Sequence, residues 1–81
     1  MIKVLFFAQT RELIGQDSIE LESSFTTVEE VRGHLASRPG KWELALSKGK
    51  LLAAVNQEIV PLEKVINDGD EIAFFPPVTG G

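Results

Sequence analysis

The residues with the clearest chemical meaning are the last eight, Phe74 to Gly81, which read FFPPVTGG. Two aromatic residues end an apolar segment, and Pro76-Pro77 then favours a stiff, extended exit from a folded domain. Six residues from Pro76 to Gly81 reach about 20 Å when extended. Gly80 and Gly81 carry no side chain, so the pattern predicts a thin arm that can enter a narrow channel and present its terminal carboxylate.

The chemistry open to this arm is that of an activated carboxylate. A carboxylate becomes a good electrophile once it is joined to AMP as a mixed anhydride, and sulfur or another nucleophile can then attack it. The sequence has no cysteine, so it offers neither a thiolate nor a disulfide. A carrier of this composition can hold sulfur on its own C-terminus, as a thiocarboxylate of Gly81.

Conventional catalytic and metal-binding patterns are missing from the sequence. His34 is the single histidine, and it has no partner at i+3 or i+4 for a metal, so we interpret it as a surface side chain. The serines lack a nucleophile-elbow context, and the glycines form neither a P-loop nor a dinucleotide fingerprint. We therefore predict no metal site, no permanently bound cofactor and no side-chain active site.

Charge and the lack of a long apolar run argue against a nucleic-acid-binding, membrane-spanning or secreted protein. The 81 residues have a net charge of −4, and the basic residues are scattered singly, so a phosphate backbone would find no basic stripe to follow. No apolar run approaches the roughly 20 residues needed to cross a membrane, and the N-terminus lacks the pattern of a signal peptide. We expect a single-domain, soluble cytoplasmic protein that binds neither nucleic acid nor membrane.

The periodicity of apolar residues predicts the order β, short α, β, long α, short α, β, β, β. The expected strands lie within residues 2–7, 17–22, 50–55, 58–60 and 71–75, and the expected helices within 8–15, 25–40 and 41–49. Thr10 is predicted to cap the first helix and Gly15 to end it. Asn56-Gln57 and the segment 67–70 are expected to form tight turns, and Pro61 limits the strand before it to a sheet edge.

The long helix has the strongest local signals. Thr26 with Glu29, or Thr27 with Glu30, can form a capping box, and Pro39-Gly40 stops the helix. Its predicted apolar stripe consists of Val28, Val31 and Leu35. The third helix is expected to have Trp42 and Leu46 on one side and Gly49 as its terminator.

These elements predict an α+β fold in which a mixed sheet wraps over one main helix. The first and last strands are the most apolar, so we place them centrally and in parallel, with the helix between them as the crossover. The folded domain is expected to span residues 1–75 and the extended tail residues 76–81.

Alternation along the two central strands places a pair of aromatic side chains on the wetter face of the sheet. Lys3 and Glu71 mark that face, and Phe7 and Phe75 share their parity. Clustered exposed aromatics suggest a partner surface. The alternative is that the short helix or the region of Trp42 covers both rings.

The segments IKVLFFAQTRELIG, LLAAVNQEIV and DGDEIAFFPPVTGG closely resemble the small-subunit family of molybdopterin synthases, which are ubiquitin-like sulfur carriers, and the likeness covers essentially the whole chain. The resemblance implies a β-grasp fold. It also implies that an ATP-dependent, ubiquitin-activating-like adenylyltransferase joins AMP to the carboxylate of Gly81. A sulfurtransferase system then makes the thiocarboxylate.

The same resemblance implies where the sulfur goes and which residues take part. The tail inserts into the large synthase subunit, within a heterotetramer, and passes sulfur to cyclic pyranopterin monophosphate (precursor Z) to build the dithiolene of molybdopterin. Gly81 is expected to bear the sulfur and Gly80 to be the slender residue before it. Phe7, Ile59 and Phe75 match the apolar contact surface of the family.

Three alternatives stay open. A sulfur carrier for thiamine synthesis has the same fold and Gly-Gly end, although it is typically shorter around the segment KWELALSKG. A ubiquitin-like modifier that forms isopeptide bonds could use the same tail, and a pure interaction module is the third possibility.

Overall fold

The computed structural model describes residues 1–22, 25–47, 49 and 51–77. The five strands of these residues are β1 (Ile2–Phe6), β2 (Ser18–Leu21), β3 (Leu52–Val55), β4 (Glu58–Val60) and β5 (Glu71–Phe75). The helices are α1 (Ala8–Ile14), α2 (Val28–Ala36) and α3 (Trp42–Ala45). The order of elements is the one that the sequence predicts.

The strands form one mixed sheet in the order β2-β1-β5-β3-β4. β1 and β5 are parallel, with Lys3 opposite Glu71 and Phe6 opposite Phe74, whereas the three other pairings are antiparallel. The first and last strands are therefore central, as predicted, and the connection between them carries the helices. This is the α+β architecture of a β-grasp domain.

The core lies on one face of the sheet, where alternate residues of the central strands are inaccessible to solvent. Its largest fully buried side chains come from β1, β5, the stripe of α2 and the end of α3, and they are Val4, Phe6, Ile72, Phe74, Val28, Val31, Leu35 and Leu46. Burying each side chain of this size stabilises the fold by roughly 1.5–3 kcal/mol. Trp42 packs edge-on against Phe6, with ring centroids 5.8 Å apart, so α3 also lies on this face.

The start of α2 uses the second of the two predicted capping registers. Thr27 is the N-cap, and its Oγ1 accepts a hydrogen bond from the Glu30 N–H at 3.3 Å. The Glu30 carboxylate in turn accepts from the Thr26 N–H at 2.7 Å. The bond to Thr27 satisfies an N–H that the helix start leaves without an intrahelical partner, and the bond from Thr26 holds the residue before the N-cap. α2 ends at Ala36, before Pro39-Gly40.

Arg32 ties α2 to the end of α3. Its Nε and Nη2 donate to the two carboxylate oxygens of Glu29 at 2.8 and 2.7 Å, and its Nη1 donates to the carbonyl of Leu46 at 2.8 Å. The hydrogen bonds and the charge of Glu29 outweigh desolvation and raise the pKa of Arg32 above its usual value. The guanidinium therefore keeps its charge wherever the protein is folded.

The structure corrects the prediction for α1. Thr10 does not cap this helix: it lies inside α1 and is 3% exposed, while Phe7 is the N-cap and has extended backbone angles. β1 accordingly ends at Phe6, and the chain turns at once into the helix through Ala8, whose φ is 53°. Gly15 does end the helix, with a φ of 84° and its N–H donating to the carbonyl of Arg11.

The third helix is shorter than predicted. α3 ends at Ala45, with Leu46 as its C-cap, so the expected terminator Gly49 lies beyond it. Leu46 is nevertheless fully buried and Trp42 half-buried, so the side that carries both residues faces the core.

Two predicted turns lie at the end of the sheet that is away from the tail. Asn56 and Gln57 have φ of 50° and 73°, the paired positive values of a type I′ turn, whose twist suits a two-residue hairpin. In the second turn the Asp70 N–H donates to the carbonyl of Asn67 at 3.1 Å, and Gly69 has a φ of 92°. Glycine meets that requirement at little steric cost.

Among the residues that the structure describes, no helix has both the length and the apolar character to cross a membrane.

Candidate functional site

The face of the sheet opposite the core carries the two aromatic side chains that parity placed there. Phe7 is 46% exposed and Phe75 is half-buried. Leu52 lies opposite Phe75 in the pairing of β3 with β5 and is also exposed. Trp42 packs on Phe6 in the core. The predicted exposure is confirmed for Phe7, whereas Phe75 is partly covered.

Ile59 joins the two phenylalanines around an open depression of about 400 Å³ in this face. Its centre is made of small residues, because Ala54 lies opposite both Ala73 and Ile59 in the strand pairings. The remaining described lining consists of Leu5, Gln57 and Glu71. Ile59 is 67% exposed. The structure thus brings together all three residues that the resemblance selects, and we call this surface the sheet depression.

Among the described residues of this face, charge is confined to the end that lies away from the tail. Lys3 stands between Glu71 on β5 and Glu20 on β2, as their registers show. From there toward Phe75 the described residues of this face are apolar or small. These residues can bury apolar area against a partner without desolvating a charge of their own.

The tail leaves from the middle of the sheet. β5 is paired on both edges, with β1 and with β3, and it leads directly into Pro76 and Pro77. Gly81, the predicted sulfur-bearing residue, and Gly80, the predicted slender residue before it, lie outside the described residues. A tail anchored on a doubly paired central strand starts from a fixed position, immediately beside Phe75.

A second depression, which the sequence did not predict, lies on the other side of Pro76 and Pro77. We call these two residues the tail root. Helices α1 and α3 bound an open groove of about 650 Å³, which we call the helix groove. Leu13 of α1 and Leu44 of α3 face it, and Pro76 and Pro77 complete it. Leu44 is 65% exposed. The sequence has no local signal for this groove, because it forms only where α1 and α3 pack against each other.

His34 is exposed, as predicted, and its ring packs at a tilt against Phe25, with centroids 5.2 Å apart. In the part of the chain that the structure describes, no three His, Cys, Asp or Glu side chains are grouped so that they could hold a metal ion.

The comparisons with known proteins agree over the full length of the chain. The model of the ThiS family matches residues 4–81. The molybdopterin synthase sulfur carrier subunits of Haemophilus influenzae and Escherichia coli K12 are 67% and 60% identical to this chain, and each match covers 100% of both sequences. A protein–protein complex of subunits 1 and 2 of molybdopterin-converting factor from Helicobacter pylori contains a chain with 26% identity and a TM-score of 0.68, covering 99% of this chain and 97% of that chain. This chain therefore belongs to the ThiS family, among the molybdopterin synthase sulfur carrier subunits.

Proposed function

We propose that this protein is the sulfur carrier subunit of a molybdopterin synthase and that it carries sulfur on the C-terminal carboxylate of Gly81. The observation that carries the proposal is the full-length match, at 60–67% identity, to proteins named for this role. The absence of cysteine supports it, because a chain without thiols has its C-terminus as the place for transferable sulfur.

The proposed reaction begins with activation. The Gly81 carboxylate attacks the α-phosphate of ATP, pyrophosphate leaves, and an acyl-adenylate forms on the tail. A ubiquitin-activating-like adenylyltransferase supplies the active site, since ATP is its substrate and not a resident cofactor of this chain. The terminal sulfur of a persulfide in a sulfurtransferase system then displaces AMP and forms an acyl disulfide. A thiol attacks the donor's sulfur, which breaks the S–S bond, releases the thiocarboxylate and leaves the donor in a disulfide with that thiol.

Delivery takes place in the large subunit. The thiocarboxylate sulfur attacks a carbon of precursor Z there and displaces an oxygen leaving group. Water then hydrolyses the thioester, so that the sulfur stays on the pterin and the Gly81 carboxylate is regenerated. Two such deliveries provide the two sulfur atoms of the dithiolene. The large subunit supplies the side chains for this chemistry, and the carrier supplies the sulfur and the position of the tail.

The sheet depression is the proposed docking surface for the large subunit, in a heterotetramer with two carriers. Phe7, Ile59 and Phe75 surround it, and Phe75 is followed directly by the tail. An apolar contact at this point fixes the origin of the tail, so that its six residues enter the partner from a defined place. The Helicobacter pylori neighbour, a complex of two subunits, supports a two-subunit arrangement.

The test is mass spectrometry of the intact protein after incubation with ATP, the activating enzyme and a sulfur source. We expect one oxygen to be replaced by sulfur, and we expect peptide mapping to place the change at Gly81. Sulfur on an internal side chain would contradict the proposal. Isopeptide conjugates in place of a thiocarboxylate would support a protein modifier. Complementation of strains defective in molybdenum cofactor or thiamine synthesis separates the two kinds of carrier.

A further inference from the structure

Exposed apolar side chains are concentrated around the tail root. Among the residues that the structure describes, the large apolar side chains with the greatest exposure are Met1, Phe7, Leu44, Leu52, Ile59 and Val65. Phe7 and Ile59 border the sheet depression, and Leu52 lies opposite Phe75. Leu44 is the member of this group on the other side, in the helix groove.

The remaining two lie at the far end of the molecule. The Met1 carbonyl accepts a hydrogen bond from Gly69, in the turn that precedes β5, and Val65 bridges to Thr27 just upstream of that turn. The tail leaves from the opposite end of β5. Of the six exposed side chains, Phe7, Leu52 and Ile59 therefore lie on one side of Pro76-Pro77, and Leu44 lies on the other.

We infer that the protein that receives the tail contacts both sides of its first two residues, Pro76 and Pro77. An apolar segment of this partner binds in the helix groove. The inference rests on the proposed function, which requires that the tail be enclosed. A pocket that encloses an extended chain surrounds it, and the two surfaces beside Pro76-Pro77 are the sheet depression and the helix groove. The groove is continuous with the tail because Pro76 and Pro77 form part of its wall.

The composition of the groove sets the chemistry of its occupant. Its described lining contains no charged residue: Leu13, Leu44, Ala45 and the two prolines are apolar, and the rest are Gln9, Thr10, Ser47 and Gly49. A charged segment would lose hydration here without gaining a counter-ion among these residues. The groove therefore fits aliphatic or aromatic side chains of the large subunit of the synthase.

The test is calorimetric titration of the large subunit from the same organism with carrier variants at Leu44. Leu44→Gln keeps a good helix former and removes the apolar contact, and we expect binding about tenfold weaker. Leu44→Met keeps the contact and should bind like the parent. Val65→Gln is the matched control, since Val65 is 58% exposed at the far end and should not change affinity. Circular dichroism checks that every variant is folded.

The outcomes separate this inference from the proposed function. If the parent protein does not bind the large subunit, the proposed function fails. If the parent binds and folded Leu44→Gln binds equally well, the partner does not contact the helix groove and the inference is wrong. Sedimentation of the carrier alone distinguishes another occupant: self-association that Leu44→Gln abolishes would assign the groove to a second copy of this chain and overturn the inference.

Discussion

The backbone N–H of Phe7 donates a hydrogen bond to the carbonyl of Phe74 at 3.3 Å. At the start of the two strands the backbone N–H of Lys3 donates in the same way to the carbonyl of Asp70. The bond of Phe7 therefore continues the parallel ladder of β1 and β5 by one residue beyond β1. Phe7 and Phe75 are thereby held side by side at the tail end of the open face. The position of both rings is set by the backbone of the two central strands.

Phe75→Asp should weaken binding to the large subunit by two or more orders of magnitude, which corresponds to about 3 kcal/mol. The variant loses apolar burial worth roughly 1.5–3 kcal/mol and adds a carboxylate that must be desolvated. Phe75 is outside the buried core cluster, so the free domain should stay folded. Calorimetry measures binding, and circular dichroism measures unfolding.

Phe7→Asp is the companion variant, because Phe7 is the more exposed of the two rings, and it should weaken binding in the same direction. Val65→Asp, at the far end, is the control for a surface charge. Parent-like affinity in both phenylalanine variants would place the contact surface elsewhere. If Phe75→Asp is unfolded at room temperature, the ring belongs to the core.

Deletion of Gly81 should abolish thiocarboxylate formation and molybdopterin synthesis while the melting temperature hardly moves. The reacting carboxylate is displaced by one residue, and the described core consists of residues that precede Pro76. Addition of a bulky residue after Gly81 should have the same effect. Synthesis assays with purified components measure the first property and thermal denaturation the second. Normal synthesis by the deletion variant would show that the terminal carboxylate is not the carrier.

Ala73→Leu should weaken binding of the large subunit about tenfold by filling the centre of the sheet depression. Ala73 is half-buried on the open face, opposite Ala54, and a leucine there projects into the space that the partner would occupy. Stability should change little, because the side chain does not enter the core. Ala73→Ser, which adds little volume, is the control; equal weakening by both variants would argue against a steric effect.

Arg32→Ala should lower the free energy of unfolding by about 1–2 kcal/mol, because it removes three charge-assisted hydrogen bonds that are partly shielded from water. Arg32→Lys should recover a fraction of this, since a lysine cannot reproduce the fork that holds Glu29. Arg11→Ala is the matched control: its contact with Asp17 is 3.8 Å long and well exposed, so the change should be within about 0.5 kcal/mol. Urea denaturation measures all three. An Arg32→Ala effect no larger than that of Arg11→Ala would contradict the tie between α2 and α3.

Gln57→Gly should stabilise the protein by about 0.5–1 kcal/mol. Gln57 has a φ of 73°, a conformation that costs a residue with a Cβ about 1–2 kcal/mol. Glycine avoids this strain, but its greater conformational entropy in the unfolded chain offsets part of the stabilisation. The resulting Asn-Gly pair is the favoured sequence of a type I′ turn. Thermal denaturation should show a rise of about 2–8 °C. A lower melting temperature would mean that the Gln57 side chain makes contacts that outweigh the backbone strain.

Alternation and turn chemistry made most of this fold predictable. The parity of β1 and β5 placed Phe6 and Phe74 in the core and Phe7 and Phe75 on the open face, because side chains of a strand alternate strictly. Asn56-Gln57 was recognisable from its position between two apolar segments. Each of these signals is local, and the paired central strands then follow from their apolar character.

The sequence could not show features that depend on contacts between distant segments. Thr10 has the chemistry of a cap, yet the strand turns directly into α1 and buries it. Arg32 has no sequence signal for its bond to the Leu46 carbonyl, 14 residues away. The helix groove likewise needs Leu13 and Leu44 to meet through the packing of two helices.

The double pairing of β5 has a mechanical consequence. A pull on the tail along the strand acts parallel to β5 and perpendicular to its hydrogen bonds with β1 and β3, so it loads both ladders in shear. Many bonds then have to yield together rather than one after another. The body of the carrier can therefore resist force while a partner draws the tail in or lets it go. The hydrogen bonds of β5 should be among the last to exchange with solvent.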